Sequence, residues 1–231
     1  MSPIQEAEAI RLPEIAQEFP SFAQPLSTDV TGLDSKRLLD ILGALAALIL
    51  CAPVMMVIFL CLSMLGNPVF AQYRVGRGGK LFACYKFRSM VNGAEQVLAD
   101  YLRSNPAARE EWQRTFKLTH DPRITPMGHF LRKSSLDELP QLFNVLRGDM
   151  SLVGPRPIVP AEVPRYRTRI QAYHRLRPGL TGLWQVSGRN LVSYRRRVAL
   201  DAVYERRRSL ALDVLILLRT IGVVFAGRGA L

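Results

Sequence analysis

Two adjacent carboxylates carry the clearest chemistry in this sequence. Asp137 and Glu138 lie in the stretch SSLDELPQ, where Pro140 is tolerated only in a first helical turn, so a helix must begin close to them. Ser135 and Glu138 also have the spacing of a capping box. The acids therefore have a purely structural alternative, in which they only complement the helix dipole. Taken alone, the motif leaves both alternatives open.

Cationic residues around the pair favour the chemical alternative. Arg132 precedes the acids, and the loop GDMSLVGPRP, which contains Arg156, follows them by the length of a short helix. Mg²⁺ takes oxygen ligands, and arginines hold phosphate oxygens in bidentate fashion. We interpret the cluster as the site of a Mg²⁺-dependent reaction at a phosphate group. One acid would attack phosphorus and the other would hold the metal.

A long apolar segment precedes this cluster. No charged side chain occurs from Ile41 through Tyr73. Residues 41–65 would extend about 38 Å as a helix, which is more than the roughly 30 Å of a bilayer core. The segment begins 40 residues into the sequence and no small-residue cleavage site follows it, which argues against a signal peptide. We therefore predict a membrane segment.

Both flanks of this segment are basic. Lys36 and Arg37 precede it, and further basic residues from Arg74 onward follow it. Because basic flanks stay on the cytoplasmic side, a helix that bends at Pro53 and returns to the same face would satisfy both flanks. An ordinary span with a tolerated proline is the alternative.

The remaining sequence predicts a mixed domain of short strands and helices. The predicted elements are strands over 69–74 and 81–90 joined by the turn GRGG, a polar helix over 92–116 interrupted near Asn105–Pro106, a basic helix over 193–208 and an apolar helix in SLALDVLILLRTIGVVFAG. The last of these suits an interfacial helix lying in the membrane plane, with a buried core helix as the alternative.

Charge is distributed unevenly along the chain. The first 40 residues hold three basic and seven acidic residues, which leaves 28 basic and 12 acidic residues after position 40. A basic body of this kind favours anionic partners such as phospholipid headgroups or a phosphorylated substrate. The three cysteines show no metal-ligand spacing, and their odd number indicates a reducing compartment.

Several long motifs resemble those of one known family, the bacterial sugar transferases, which are monotopic polyprenyl-phosphate phosphoglycosyl transferases. The motifs are KRLLD at 36–40, YKFRSM at 85–90, RITPMGHFLRKSSLDELPQLFNVLRGDMSLVGPRP at 123–157, RPGLTGLWQVSGR at 177–189, LDAVYERRRSLALD at 200–213 and the closing GRGA. The resemblance covers residues 34–231, and the short form looks most like the exopolysaccharide-initiating members.

The resemblance implies a specific reaction. It implies transfer of hexose-1-phosphate from a UDP-sugar, with UDP-galactose or UDP-glucose favoured, to undecaprenyl phosphate with release of UMP. This is the first membrane step of exopolysaccharide synthesis. Asp137 would form a phosphosugar-enzyme intermediate, Glu138 would help place Mg²⁺, and both acids are candidate metal ligands. The implied membrane helix is re-entrant and breaks at Pro53, although this chain has Ala52 where the family often has Ser.

Six further residues are candidate contacts for substrate or phosphate: Arg156, Arg132, Lys86, Arg88, Gln185 and Arg189. A structural salt bridge is the alternative for Arg156, and contact with lipid headgroups is the alternative for Lys86 and Arg88. Gln185 and Arg189 can shape a nucleotide pocket. For Asp201 and Asp213, surface pairing with neighbouring arginines is the favoured interpretation.

These observations predict an α+β, mainly helical fold. It comprises an acidic, poorly ordered leader over 1–33, a re-entrant membrane helix over 34–68 and a small cytosolic catalytic domain over 69–231 with amphipathic interfacial helices. The expected location is the cytoplasmic face of the bacterial inner membrane, in contact with phospholipid. A homo-oligomer is left open.

Two other functions are kept as alternatives. One is the same reaction with another sugar, such as an N-acetylated amino sugar. The other is a non-catalytic basic membrane scaffold. Nucleic acid is not an expected partner, because aromatic residues are not interleaved with the basic ones.

Overall fold

The computed structural model describes residues 35–115, 118–188 and 192–225. The acidic leader predicted over 1–33 and the candidate Arg189 lie outside the described residues. Within these ranges the fold is mainly helical with two small sheets, as the sequence predicts.

The predicted apolar segment forms one long helix, α1 (Ser35–Ser63), which contains Pro53. By length and composition it could cross a membrane. Its buried residues are Asp40, Ala44, Ile58 and Leu62, so one stripe of the helix packs against the rest of the protein. Many of its other apolar side chains are exposed.

A β-hairpin follows α1 and confirms the two predicted strands. Strand β1 (Val69–Val75) pairs antiparallel with β2 (Leu81–Phe87), and Gln72 lies opposite Cys84. The connecting turn needs glycine, because Gly78 has a φ of 67°. Since side chains alternate along a strand, Arg74, Cys84 and Lys86 lie on the same face of this hairpin.

The remaining helices surround the hairpin and a second pair of strands. In chain order they are α2 (Ala94–Ser104), α3 (Pro106–Thr115), α4 (Pro126–Ser134), α5 (Gln141–Arg147), α6 (Val163–Tyr166), α7 (Ile170–His174), α8 (Leu183–Val186), α9 (Tyr194–Arg207) and α10 (Leu210–Phe225). The break between α2 and α3 confirms the predicted interruption near Asn105–Pro106. The helices predicted in the basic and apolar C-terminal stretches are confirmed as α9 and α10.

The second sheet holds the GPRP loop close to α8. Strand β3 (Ser151–Val153) pairs in parallel with β4 (Gly179–Thr181). A Cβ atom on Gly154 would lie 2.4 Å from the carbonyl oxygen of Arg177, and one on Gly179 would lie 2.1 Å from the backbone nitrogen of Gly154. Only glycine permits this close approach of the two chain segments.

The main core connects these elements. It includes Ala44 of α1, Cys84 of β2, Leu142 of α5, Leu152 of β3 and Ile216 of α10, all at most 6% exposed. A smaller core joins the C-terminal half of α1 to β2 and α4 through Ile58, Leu62, Phe87 and Leu131. Both halves of α1 therefore pack against the same body.

A buried polar network fixes the start of α1. Lys36 Nζ lies 3.0 Å from Asp40 Oδ1 and 3.0 Å from Asp213 Oδ2 on α10. Asp40 Oδ1 also accepts hydrogen bonds from the hydroxyl of Ser151 and the amide of Leu152, both at 3.0 Å. The interpretation of Asp213 as a surface residue is therefore wrong, because it is buried and paired with a lysine from another helix.

Asp201 is also buried, at 4% exposure. Tyr166 donates a hydrogen bond of 2.8 Å to its Oδ2 atom. The expected pairing with arginines on the surface of the helix is wrong, since Asp201 points into the core between α9 and α6.

Candidate active site

Asp137 and Glu138 lie on a short 3₁₀ turn, Leu136–Glu138, between α4 and α5. Helix α4 ends at Ser134, and Ser135 adopts a left-handed conformation with φ 59°. Its side chain makes no capping hydrogen bond to the turn. The capping box that the spacing suggests is therefore not formed. The acids lie in the first turn of this 3₁₀ helix and precede α5, so a purely structural role rests on their interaction with the dipole of that short turn alone.

Lys86 on β2 joins the two carboxylates. Its Nζ atom donates a hydrogen bond of 2.6 Å to Glu138 Oε1 and lies 3.7 Å from Asp137 Oδ2. The Asp137 side chain is about 10% exposed, whereas that of Glu138 is 31% exposed. The hairpin thus supplies one cation to two acids that differ in their access to solvent.

The surroundings move the pKa values of the two acids in opposite directions. Burial raises the pKa of Asp137, and the nearby Lys86 only partly opposes this. Burial also acts to raise the pKa of Glu138, but Lys86 and Arg156 together outweigh it, so its pKa is lowered. The pair thus combines a carboxyl that ionises more readily than usual with one that ionises less readily.

Arg132 lies beside Asp137 at the end of α4. Its Nε atom donates a hydrogen bond of 2.9 Å to the Ser89 hydroxyl. Gly128 makes this docking possible, because a Cβ atom there would lie 1.9 Å from the Ser89 carbonyl oxygen. The charge of Arg132 lowers the pKa of Asp137, against the dominant effect of burial. The predicted proximity of Arg132 to the acids is confirmed.

A cleft of about 300 Å³, including its open mouth, extends from Glu138. Three predicted contact residues, Lys86, Arg156 and Gln185, converge there with Glu138 from separate elements. The residues that line the cleft are Arg74, Cys84, Lys86, Glu138, Gln141, Arg156, Pro157, Gly179, Leu180 and Gln185. Three cations and one carboxylate give the cleft a net positive charge, which suits an anionic ligand.

Contacts from the hairpin and α8 hold the GPRP loop in this cleft. Arg74 Nη1 donates a hydrogen bond of 3.1 Å to the Pro157 carbonyl oxygen. The guanidinium carbon of Arg156 lies 5.7 Å from the ring centroid of Trp184, which is 2% exposed. Trp184 is therefore a core residue that supports Arg156 from behind.

Arg88 is turned away from the cleft. It donates hydrogen bonds of 2.8 Å to the Asn67 carbonyl oxygen and 2.9 Å to Asn92 Oδ1. It also lies over the ring of Phe70 at 5.9 Å. The structure thus places Arg88 beside the end of α1 and does not bring it together with the acids.

Three cleft residues were not predicted from the sequence: Arg74, Cys84 and Gln141. The alternation of β1 and β2 could have identified the first two, because their pairing places both on the face of Lys86. Burial and the nearby Arg156 lower the pKa of Arg74. Gln141 follows Glu138 by one helical turn and is 2% exposed. Only its burial distinguishes it from an ordinary polar helix residue.

The donor set of the site suits Mg²⁺ shared with a substrate. Among the residues that the structure describes, no group of three or more His, Cys, Asp or Glu side chains could hold a metal ion. Mg²⁺ commonly takes one or two carboxylates and completes its shell with water and substrate phosphate oxygens. Asp137 and Glu138 are such a pair, already drawn together by the cation of Lys86.

Comparison with known proteins identifies the family to which the chain is similar. The model of the family described as bacterial sugar transferase matches residues 32–227. A UDP-galactose-lipid carrier transferase of Erwinia amylovora and an undecaprenyl-phosphate galactose phosphotransferase of Salmonella typhimurium are each 52% identical over 196 residues, or 84% of this chain. The chain spans only 41% of the length of each of these two relatives.

A third relative has a similar length. The exopolysaccharide production protein ExoY of Sinorhizobium fredii is 48% identical over 198 residues, which cover 85% of this chain and 88% of that protein. Because each match covers at least 84% of this chain, it includes the segments that form the β-hairpin, the acidic turn and the GPRP loop.

Proposed function

Because this chain belongs to the bacterial sugar transferase family, we propose that it transfers a hexose-1-phosphate from a UDP-sugar to undecaprenyl phosphate. UMP and a polyprenyl diphosphate sugar are the products. The observation that carries this proposal is the convergence of Asp137 and Glu138 with Lys86 and Arg156 beside one cationic cleft. A structural helix start needs no such cleft.

The reaction proceeds in two displacements at the same phosphorus. A carboxylate oxygen of Asp137 attacks the phosphorus that bears the sugar, and the bond from that phosphorus to the bridging oxygen breaks. UMP leaves with the electron pair. A phosphate oxygen of undecaprenyl phosphate then attacks the acyl phosphate and expels the Asp137 carboxylate unchanged.

The surrounding residues bind and orient the reacting groups. Lys86, Arg156 and Arg74 hold phosphate oxygens in the cleft and stabilise the charge that develops on them. The nearby charge of Arg132 favours the ionised form of Asp137. Desolvation of Asp137 removes the water shell that would otherwise weaken its attack.

Mg²⁺ is the proposed cofactor. Asp137 and Glu138 would hold it, and it supplies charge neutralisation at the diphosphate when bound. The low pKa of Glu138 supports this role, because a metal ligand must be deprotonated.

The proposed location is the cytoplasmic face of the bacterial inner membrane, with α1 entering and leaving on the same side. The contacts of both halves of α1 support this topology. Arg37 donates hydrogen bonds to the carbonyl oxygens of Val145 and Leu146 at 2.6 and 2.8 Å, while Ile58 and Leu62 pack near Leu131. Bilayer phospholipid is the proposed surrounding of the exposed residues of α1.

Galactose is the favoured sugar, because two of the similar proteins act on galactose according to their names. Glucose, an N-acetylated amino sugar and a non-catalytic scaffold are the alternatives.

The first test measures UMP release. The full chain in nanodiscs with Mg²⁺ and a short polyprenyl phosphate is given a panel of UDP-sugars. We expect release with UDP-galactose or UDP-glucose, and a loss of at least about 1,000-fold in Asp137→Asn, since the amide is not a nucleophile. The exposed acid Asp100 on α2 provides the matched control, Asp100→Asn, which should keep full activity.

The outcomes separate the alternatives. If UMP is released only with a UDP-linked N-acetylated sugar, the proposed donor changes but the proposed class of reaction does not. Equal release by Asp137→Asn and the parent protein would show that Asp137 is not the nucleophile. Silence with every UDP-sugar would extend the panel to other nucleotide sugars.

A further inference from the structure

Two unpaired amide groups face the cleft beside the acidic turn. Gln141 is 2% exposed, and its Nε2 donor has no hydrogen-bond partner among the described residues. Gln185, from α8, lines the same cleft with an Oε1 acceptor that also lacks a partner there. Buried polar groups of folded proteins are nearly always paired, so Gln141 Nε2 and Gln185 Oε1 are candidates for hydrogen bonds to a bound ligand.

One of the two atoms is a hydrogen-bond donor and the other is an acceptor, which restricts the chemical groups that can bind both. A phosphate oxygen can accept from Gln141 but offers no hydrogen to the Gln185 acceptor at neutral pH. A hydroxyl group both donates and accepts, so it can pair with both amides at once. The cleft already holds Arg74, Lys86 and Arg156 for the phosphates, which leaves the uncharged amides for an uncharged part of the substrate.

Their position indicates which part of the substrate this is. Gln141 lies one helical turn after Glu138, which lines the same cleft, so the amide is close to the reacting phosphate. The hexose is bonded directly to that phosphate, whereas the uracil lies two linkages further away.

We propose that Gln141 and Gln185 together bind a hydroxyl group of the hexose, and that Gln141 is a specificity-determining residue. This inference rests on the proposed function, because it names a contact of the same substrate in the same site. Its basis is that an unpaired buried donor and an unpaired buried acceptor belong to residues that line the same cleft as Glu138.

The test compares Gln141→Met with the parent protein on the best UDP-sugar and on its analogues lacking single hydroxyl groups. Met keeps the length and burial of the side chain but removes the donor. We expect kcat/KM for the natural sugar to fall about 10- to 100-fold. For one deoxy analogue the parent and the variant should differ less than threefold, because the hydroxyl that Gln141 binds is already absent. Gln185→Met should show its smallest effect on the same analogue.

Two controls distinguish binding of the hexose by Gln141 from a structural role and from binding of the nucleotide. Gln171→Met, at an exposed position on α7, should leave all the rates unchanged. Inhibition by UMP, which lacks the hexose, should stay within twofold in Gln141→Met. An equal loss on the natural sugar and on every deoxy analogue would overturn the inference, as would weaker inhibition by UMP. UMP release by the parent protein tests the proposed function separately. If the parent is active but Gln141→Met loses the same activity on every sugar, this inference alone is refuted.

Discussion

The pKa values of single residues near the cleft depend on burial as much as on hydrogen bonds and neighbouring charges. Asp201 shows this most clearly, because burial raises its pKa to about 7, while the hydrogen bond from Tyr166 and the charge of Arg197 act in the opposite direction. A carboxyl of this kind keeps its proton under mildly acidic conditions in the folded protein and loses it on unfolding.

This difference predicts a pH-dependent stability. Between the unfolded pKa near 3.8 and the folded pKa of about 7, the folded state binds a proton that the unfolded state releases. The free energy of unfolding therefore falls as pH rises through this window, by up to about 1.4 kcal/mol per pH unit, and the contribution of Asp201 levels off above it. Asp201→Asn, which is neutral throughout, should flatten the decline of Tm between pH 5 and 7.

Thermal unfolding of the parent protein and the variant at half-unit pH steps provides the measurement. Asp100→Asn removes an exposed carboxylate and should leave the slope unchanged. If Asp201→Asn has the same slope as the parent protein, then Asp201 is ionised in the folded state across this range.

At this scale the sequence pointed to the acid pair but not to all the residues that surround it in the structure. Adjacent acids, a following proline and a nearby GPRP loop were enough to locate Asp137, Glu138 and Arg156. Arg88 could not be distinguished from Lys86, because its separation from the acids depends on its contacts with Asn67 and Asn92. Gln141 gave no signal, since its burial arises from tertiary packing alone.

At the scale of elements, α1 is fixed to the catalytic body by charge as well as by apolar packing. Lys36 bridges two buried carboxylates, Asp40 on its own helix and Asp213 on α10. Tyr204 donates a further hydrogen bond of 2.6 Å to Asp213 Oδ1. The first turn of α1 is thereby joined to the last described helix of the chain.

Removing this cation should loosen the junction. Lys36→Met keeps the side-chain length but leaves two buried carboxylates without their partner, which typically costs about 3 kcal/mol. We expect a clear fall in Tm in detergent, and partial recovery in the double variant with Asp213→Asn, because one uncompensated charge is then removed.

Lys80→Met, at an exposed position, is the matched control and should leave Tm unchanged. A Tm of Lys36→Met equal to that of the parent protein would contradict the buried-network interpretation.

The local elements were largely predictable, because their signals lie within short windows. Alternation and the GRGG turn predicted β1 and β2, and Pro106 predicted the break between α2 and α3. The short parallel pair of β3 and β4 was not predicted. Each strand has three residues, and their pairing depends on the close approach of Gly154 and Gly179, which are 25 positions apart.

Across the whole molecule, apolar exposure is concentrated on two helices. On α1, Ile49 and Leu50 are 77% and 81% exposed, and on α10, Leu218 and Ile221 are 63% and 56% exposed. Soluble monomers rarely leave such extended apolar surfaces in water. Together with the excess of basic residues after position 40, these surfaces favour an anionic bilayer as the environment of the protein.

The same-face topology of α1 is the remaining prediction at this scale. A simple span would place Ser35 and Lys80 on opposite sides of the membrane, whereas both ends of α1 pack against one body. We therefore expect both positions, which are exposed, to face the cytoplasm. Ser35→Cys and Lys80→Cys should resist an impermeant maleimide in intact spheroplasts, and both should react after lysis.

The parent protein gives the labelling background, since Cys84 is buried and Cys51 and Cys61 are only partly exposed on α1. Labelling of one position in intact spheroplasts would mean that α1 crosses the membrane. The body would then have to contact Leu62 from the far side of the bilayer, whereas Leu62 packs beside Phe87 and Leu131 in the structure. A span would thus require the C-terminal half of α1 to leave its core. If both Ser35→Cys and Lys80→Cys are protected from the maleimide, no such rearrangement is needed. The helix can then keep its contacts with the body while its exposed middle enters the bilayer.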